Sequence, residues 1–168
     1  LMAMRAELND DSKVRISVND LLIKAIAATH IRVPELNVIW TPDAVVQFAS
    51  VDISMAVATD QGLFTATLRT VENMSITQVA LTTKDFAQRA RTGSLRQNEL
   101  EGGSISISNL GMFGVEDFAA IINPPQASIL AVGGISTEPV VVNDQLTTGQ
   151  LMRATLSVDH RPVDGANG

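Results

Sequence analysis

The chain has 168 residues, 45% hydrophobic and 18% charged, a composition typical of one globular domain with its own core. Its net charge of −6 argues against a nucleic-acid-binding protein, which normally presents a basic face. There is no cysteine, so disulfides, thiolate metal sites and a cysteine nucleophile are excluded, and no apolar run approaches the roughly 20 residues that span a membrane.

Two helices are predicted at the start of the chain. Residues 1–10 carry apolar side chains at helical spacing, and so do residues 17–30. Ser17 or Asn19 is the expected N-cap of the second helix. Pro34 should end it, because the residue before a proline is disfavoured in a helix.

The pattern then changes to short runs rich in β-branched and apolar residues, which predict strands. Pro42-Asp43 and Gln61-Gly62 separate these runs as turns, so two hairpins are expected. The four predicted strands are NVIW, AVVQF, VDISMAVAT and LFTATLR. A long helix should follow over residues 75–93, with Ser75 and Gln78 as a capping box and a glycine at its end.

The second half of the chain is predicted to form further strands joined by turns. A GMFG turn follows the first strand, and Asn143-Asp144 is expected in the turn between two later strands. The segments interpreted as strands are SISISNL, FAAIINPPQ, SILAVGG, PVVV and LMRATLSVDH. The order predicts an α+β fold of two layers, a mixed β-sheet with helices packed on one face.

His160, one of only two histidines, is the first candidate site residue. It follows a strand-like run, and Pro162 disfavours helix at Arg161, so the histidine should lie at a corner between strand and loop. A neutral imidazole there can accept a proton near pH 7. The alternative from spacing alone is a surface corner in which Arg161 pairs with a neighbouring aspartate and Asp164 caps a following helix.

Ser108 is the second candidate, because it ends a strand-like run before a glycine-bracketed turn. A hydroxyl at such a point can donate to a developing oxyanion. The alternative is ordinary turn chemistry, since serine, asparagine and glycine all favour turns.

Other chemistries find little support. The nucleophile elbow G-x-S-x-G of serine hydrolases is absent, as are a Walker loop and the H-E-x-x-H pattern. His30 closes an apolar helix and is interpreted as structural. No metal site is predicted, because the chain has two histidines, no cysteine and no cluster of acidic ligands.

Several segments together resemble the catalytic domain of dihydrolipoamide acyltransferases, the core components of 2-oxo acid dehydrogenase complexes. The similarity runs in order through essentially the whole chain. Its most specific element is D-H-R-x-x-D-G at residues 159–165, and SNLGMFG with INPPQ is most like the pyruvate dehydrogenase branch, which transfers acetyl. The resemblance implies a fold like that of chloramphenicol acetyltransferase.

The resemblance also implies roles for the candidate residues. His160 matches the general base, Asp164 the supporting aspartate, and Ser108 the hydroxyl that donates to the tetrahedral intermediate. The implied reaction moves acetyl between dihydrolipoyl-lysine and coenzyme A. Coenzyme A is a substrate, and the lipoyl-lysine belongs to a domain outside this chain. The residues that bind coenzyme A are left open.

Implied partners are two further copies in a homotrimer, assembled or not into a larger cage, with lipoyl domains, the 2-oxo acid decarboxylase and dihydrolipoamide dehydrogenase. Nucleic acid and membrane are not expected. His160 and Ser108 should meet across the boundary between two subunits. The expected compartment is the bacterial cytoplasm, with the mitochondrial matrix as the alternative.

The chain departs from the family pattern in three places. Ala66 stands where the family usually has proline. The segments that usually precede residue 1 and follow Gly168 are missing, so we expect residues 1–168 to be a catalytic domain incomplete at both ends.

Three other functions stay open: a non-catalytic core or binding component, an acyltransferase for succinyl or branched-chain groups, and a free-standing small-molecule acetyltransferase.

Overall fold

The computed structural model describes residues 1–168 and confirms the predicted α+β architecture. Three α-helices and seven strands alternate with short 3₁₀ turns. None of the helices has the length and apolar character needed to cross a membrane. The helices and strands are α1 (Met2–Asp10), α2 (Val18–Arg32), β1 (Val38–Trp40), β2 (Val45–Gln47), β3 (Ile53–Thr59), β4 (Gly62–Leu68), α3 (Ile76–Arg91), β5 (Ile105–Asn109), β6 (Ser128–Val142) and β7 (Gln145–Val158).

Local hydrogen bonds explain where the long helices begin. The Ser17 hydroxyl accepts from the backbone N–H of Asp20 at 3.1 Å, and the Asp20 carboxylate accepts from the N–H of Ser17 at 2.7 Å. Ser17 is therefore the N-cap of α2, and Ser75 caps α3 in the same reciprocal way with Gln78. The Thr83 hydroxyl of α3 donates to Asp20 at 2.6 Å, so one cap also ties the two helices together.

Five strands form the main sheet in the order β4-β3-β5-β6-β7. Strand β5 runs parallel to both neighbours, while the outer pairs are antiparallel hairpins, so the sheet is mixed as predicted. Helices α2 and α3 cover one face and bury Ile23, Val79 and Phe86 against Ile53 and Ile107. Strands β1 and β2 form a separate small antiparallel hairpin.

Two strand predictions were wrong. Residues 118–126 contain no strand, since this segment has no continuous partner for its backbone. SILAVGG and PVVV are one strand, β6, with an irregularity between Val132 and Ile135. A Cβ at Gly133 would lie 1.9 Å from the carbonyl oxygen of Glu116. A glycine is therefore needed where the backbone at Glu116 passes close to β6.

The hairpin of β6 and β7 extends well beyond the rest of the sheet. Strand β5 pairs with β6 only as far as Val132, whereas the β6–β7 ladder continues to Val142. Asn143 and Asp144 form its turn with φ of 51° and 60°, the positive values required by the predicted two-residue hairpin turn. Pro139 is tolerated because β6 has no partner on its other side there.

Candidate active site

His160 lies in a tight corner directly after β7. The strand ends at Val158, the N–H of Asp159 donates to the carbonyl of Ala127 at 2.7 Å, and the N–H of Val163 closes the turn on the carbonyl of Asp159 at 3.2 Å. The His160 side chain is exposed. The predicted strand-to-loop corner is therefore confirmed, and it presents the imidazole to a space outside the core.

Arg161 pairs with Asp159 and not with Asp164. Its Nη2 donates to Oδ2 of Asp159 at 2.5 Å, and its Nε donates to Oδ1 at 2.9 Å. These hydrogen bonds hold the pKa of Asp159 below its usual value. The guanidinium also lies over Trp40, with Cζ 3.9 Å from the centre of the indole. Sequence reasoning missed Trp40, because nothing in its local pattern signals a contact so distant along the chain.

Asp164 shapes the end of the corner. Its Oδ1 accepts from the N–H of Ala166 at 3.0 Å, and its carbonyl accepts from the N–H groups of Asn167 and Gly168. The residue therefore caps a turn, close to the capping role that spacing left open. A Cβ built on Gly165 would lie 3.8 Å from Nε2 of His160, so the imidazole stands over the backbone that Asp164 organises.

Ser108 lies near the end of β5 and lines a cavity of about 730 Å³. The hydroxyl is partly buried and makes no hydrogen bond to another group of the chain. The cavity combines apolar side chains with exposed cations from α3, in a chain whose net charge is negative. Its lining includes Met55, Lys84, Arg91, Asn109, Leu110, Met112 and Gly133.

A buried polar network holds the strand that carries Ser108. The Ser106 hydroxyl donates to Oε1 of Gln126, whose Nε2 donates to the Ser54 hydroxyl at 2.7 Å and to the carbonyl of Gly102 at 2.8 Å. The network joins β5 to β3 on the face away from the helices. Sequence reasoning gave Gln126 no structural role, although it is the last residue of the INPPQ segment that contributed to the family resemblance.

The strand register keeps Ser108 and His160 apart within one chain. Ser108 is level with Ala131 of β6 and Thr155 of β7. Val158 of β7 is level with Ile105, which lies three residues before Ser108 on β5. Three residues at about 3.3 Å each and two strand spacings of about 4.8 Å place the Cα atoms of Ser108 and Val158 about 14 Å apart. His160 follows Val158 by two residues, so the register of β5, β6 and β7 does not place its backbone level with Ser108 within one chain.

His30 is buried at the end of α2, in keeping with the predicted structural role. Its Nδ1 lies 3.0 Å from the carbonyl of Ile26, while Nε2 is buried without a hydrogen-bond partner. Burial lowers the pKa of this imidazole, because the charged form loses its hydration. The residue borders a second cavity of about 260 Å³, separate from Ser108.

Comparison with known proteins identifies relatives over the full chain. The family model of the 2-oxoacid dehydrogenases acyltransferase catalytic domain matches residues 1–168. The chain is 47% identical, over 99% of its length, to the dihydrolipoyllysine-residue acetyltransferase component of the mitochondrial pyruvate dehydrogenase complex of Schizosaccharomyces pombe, and 43% identical over 99% to the corresponding component of Zymomonas mobilis. It is also 45% identical over 98% to the mitochondrial pyruvate dehydrogenase protein X component of mouse. The chain spans 35%, 39% and 34% of these three relatives.

Solved structures agree with the fold. The dihydrolipoamide acetyltransferase of Azotobacter vinelandii, studied for the role of a serine, a histidine and an asparagine in its catalytic mechanism, superposes with a TM-score of 0.93 at 31% identity, covering 99% of this chain and 70% of that one. Chloramphenicol acetyltransferase superposes with a TM-score of 0.56 at 15% identity, covering 98% of this chain and 76% of that one. The second likeness confirms the predicted fold class and bears on the fold alone.

Proposed function

Because the chain belongs to the 2-oxoacid dehydrogenase acyltransferase family, whose catalytic domain it matches over residues 1–168, we propose that it transfers an acetyl group between dihydrolipoyl-lysine and coenzyme A. The acetyl assignment rests on relatives named for that activity in pyruvate dehydrogenase complexes. Since the chain spans little more than a third of those relatives, the proposal concerns a catalytic domain of a longer enzyme.

The spacing of three polar residues carries this proposal. In the Azotobacter vinelandii enzyme the serine precedes the histidine by 52 positions and the asparagine follows the histidine by four. Ser108, His160 and Asp164 stand at the same spacings here. The one difference in residue type is the carboxylate of Asp164 in place of a carboxamide.

His160 is the general base in this mechanism. The exposed imidazole takes the proton from the thiol of coenzyme A, because an alkyl thiol, like that of free cysteine with its pKa of about 8.5, is mostly protonated at neutral pH. The resulting thiolate attacks the carbonyl carbon of the acetyl thioester on the dihydrolipoyl group. When the tetrahedral intermediate collapses, the carbon–sulfur bond to dihydrolipoyl breaks and the imidazolium returns its proton to that leaving sulfur.

Ser108 stabilises the intermediate. Its hydroxyl has no competing hydrogen bond within the chain and is free to donate to the oxyanion that forms on the acetyl oxygen. The Ser106–Gln126–Ser54 network fixes the strand behind it, so the donor is held in place before the charge develops. One such donor typically contributes about 3–4 kcal/mol to lowering the barrier.

The cavity beside Ser108 suits a long thiol substrate. Its volume of about 730 Å³ lies within the usual range of small-molecule sites. Apolar walls formed by Met55 and Leu110 fit the pantetheine arm, while Lys84 and Arg91 supply positive charge for the phosphates of coenzyme A. These residues would bind the substrate and take no part in the chemistry.

A homotrimer would bring Ser108 and His160 together. The register sets Ser108 about 14 Å from Val158, at the end of the strand that leads to His160, and closed three-fold symmetry would place His160 of one subunit against Ser108 of the next. Exposed apolar side chains such as Ile121, Val141 and Leu146 offer surface for such contacts. Lipoyl domains, the decarboxylase and dihydrolipoamide dehydrogenase are the further partners we propose, in a bacterial cytoplasm or a mitochondrial matrix.

An acyl-transfer assay tests the proposal against its alternatives. The protein is incubated with dihydrolipoamide and acetyl-, succinyl- or isobutyryl-CoA, and the S-acyl-dihydrolipoamide product is separated from acyl-CoA by chromatography and quantified. Faster turnover with acetyl-CoA supports the proposal, preference for another acyl group supports a related acyltransferase, and no turnover with any of them supports a non-catalytic core component. The presence of both His160 and Ser108 favours the enzyme.

A further inference from the structure

The small β1–β2 hairpin lies against the corner that carries His160. Trp40 is the last residue of β1 and is partly buried, and an isolated bridge between Ile39 and Gln126 fixes this strand. The guanidinium of Arg161 stacks on Trp40, with Cζ 3.9 Å from the ring centre. Buried Val163 packs with Leu36, Val38 and Ala127. The hairpin therefore contacts the corner on both sides of Pro162, through Arg161 before it and Val163 after it.

Arg161 is restrained in two directions at once. Asp159 holds the edge of the guanidinium through hydrogen bonds to Nε and Nη2, and the indole covers its face. Edge bonds fix a planar group within its plane, while stacking fixes the orientation of that plane. Asp159 is itself anchored just before β6, where its N–H donates to the carbonyl of Ala127.

His160 stands between these two restrained neighbours and has no hydrogen bond of its own to any group of the chain. Its imidazole is therefore positioned by its backbone, which Asp159 and Arg161 hold from either side. We propose that Trp40 is a positioning residue for His160, acting through the stacked Arg161. The role of His160 as general base rests on the function proposed above; the stacking itself does not.

Loss of the indole should lower turnover without weakening coenzyme A binding. A displacement of about 1 Å at a reacting group can cost on the order of 10²-fold in rate, so we expect Trp40→Leu to reduce kcat by about 10- to 100-fold. The KM for coenzyme A should stay unchanged, because Trp40 does not line the cavity beside Ser108. Trp40→Phe should recover part of kcat, since a phenyl ring still offers an aromatic face to Arg161.

The experiment compares Trp40→Leu, Trp40→Phe and the control Val46→Ala. Val46 lies on the same hairpin opposite Ile39 and is not in the stack. Steady-state kinetics give kcat and KM, and circular dichroism with thermal unfolding shows whether each variant is folded. The expected order of kcat is wild type and Val46→Ala, then Trp40→Phe, then Trp40→Leu. Equal kcat in folded wild type and Trp40→Leu, or a change confined to KM, would overturn the proposal.

Two spectroscopic measurements separate this proposal from the proposed function. The chain has two histidines, so the imidazole resonance of His160 can be assigned with His160→Ala, and it should shift in Trp40→Leu but not in Val46→Ala. Trp40 is the only tryptophan, so Arg161→Met should change its fluorescence emission. If neither the His160 resonance nor the Trp40 fluorescence changes, the positioning role is refuted even in an active enzyme. If both change in a protein without acetyl-transfer activity, the positioning role is upheld while the proposed function fails.

Discussion

Mixed trimers of two inactive variants should recover activity. His160→Ala keeps an intact Ser108, and Ser108→Ala keeps an intact His160. Alone, each variant should lose about 100-fold or more in turnover, because one lacks the proposed base and the other the proposed oxyanion donor. If a site combines residues of adjacent subunits, a mixed trimer can pair the two intact residues.

The expected recovery follows from the geometry. The strand register sets Ser108 and the end of β7, which leads to His160, about 14 Å apart within one chain. In the proposed ring of three, each site would take its serine from one subunit and its histidine from the next. Every mixed ring, whether two-to-one or one-to-two, then contains one junction with both residues intact, so turnover should return to about one third of the wild-type value per trimer.

The assay uses co-expression with two different affinity tags. Purification through both tags selects mixed trimers, and acetyl transfer from acetyl-CoA to dihydrolipoamide is measured on them. Mixed trimers of His160→Ala and His160→Gln form the matched control, because no junction in them has an intact histidine. Recovery in the first mixture and none in the control is the expected result.

The reasoning fails if the mixed trimers turn over no faster than the single variants. That outcome would mean that each subunit supplies both residues of its own site. Failure to isolate any doubly tagged protein would contradict the trimer itself.

Three further predictions concern single residues. His160→Ala should lose at least about 100-fold in acetyl transfer while its sedimentation stays that of wild type; retention of a tenth of the activity would contradict its role as the base. Ser108→Ala should lower kcat by about 10²–10³-fold and change the KM for coenzyme A much less, because the oxyanion contact forms in the transition state; a change in KM alone would make it a ground-state contact. His30→Leu should raise the free energy of unfolding more at pH 5 than at pH 7. Burial lowers the folded-state pKa of His30 below its ordinary 6.5. The free energy of unfolding of the wild type therefore carries no penalty from His30 above pH 6.5, and it declines as the pH falls from 6.5 toward the lower folded-state pKa. Equal effects of His30→Leu in urea unfolding at both pH values would argue against this.

Local sequence signals predicted the elements of this fold well. The caps at Ser17 and Ser75, the helix end before Pro34 and the Asn143-Asp144 turn all depend on neighbours within a few residues, and all were found where expected. The strand predicted at residues 118–126 failed because apolar composition does not show whether a backbone has a partner to pair with.

The site was predictable only where resemblance supplied it. From spacing alone, both His160 and Ser108 could be interpreted as ordinary residues of a surface turn. The contacts that support them, Gln126 with Ser106 and Trp40 with Arg161, join residues from distant segments and leave no periodic signal in the sequence. Such contacts emerge only once the sheet order is known.

The position of β5 in the sheet has a consequence for how the protein folds. The outer pairs, β3 with β4 and β6 with β7, are local hairpins, whereas β5 must join two parallel partners across long stretches of chain. Because distant pairings pay their loop-closure entropy before they gain contacts, β5 should enter the sheet late. Conservative changes such as Ile107→Val would then speed unfolding more than they slow folding. Ser108 lies on this strand, so a chain would gain its proposed oxyanion donor only at the final stage of folding, and partly folded chains would lack the proposed acetyl-transfer activity.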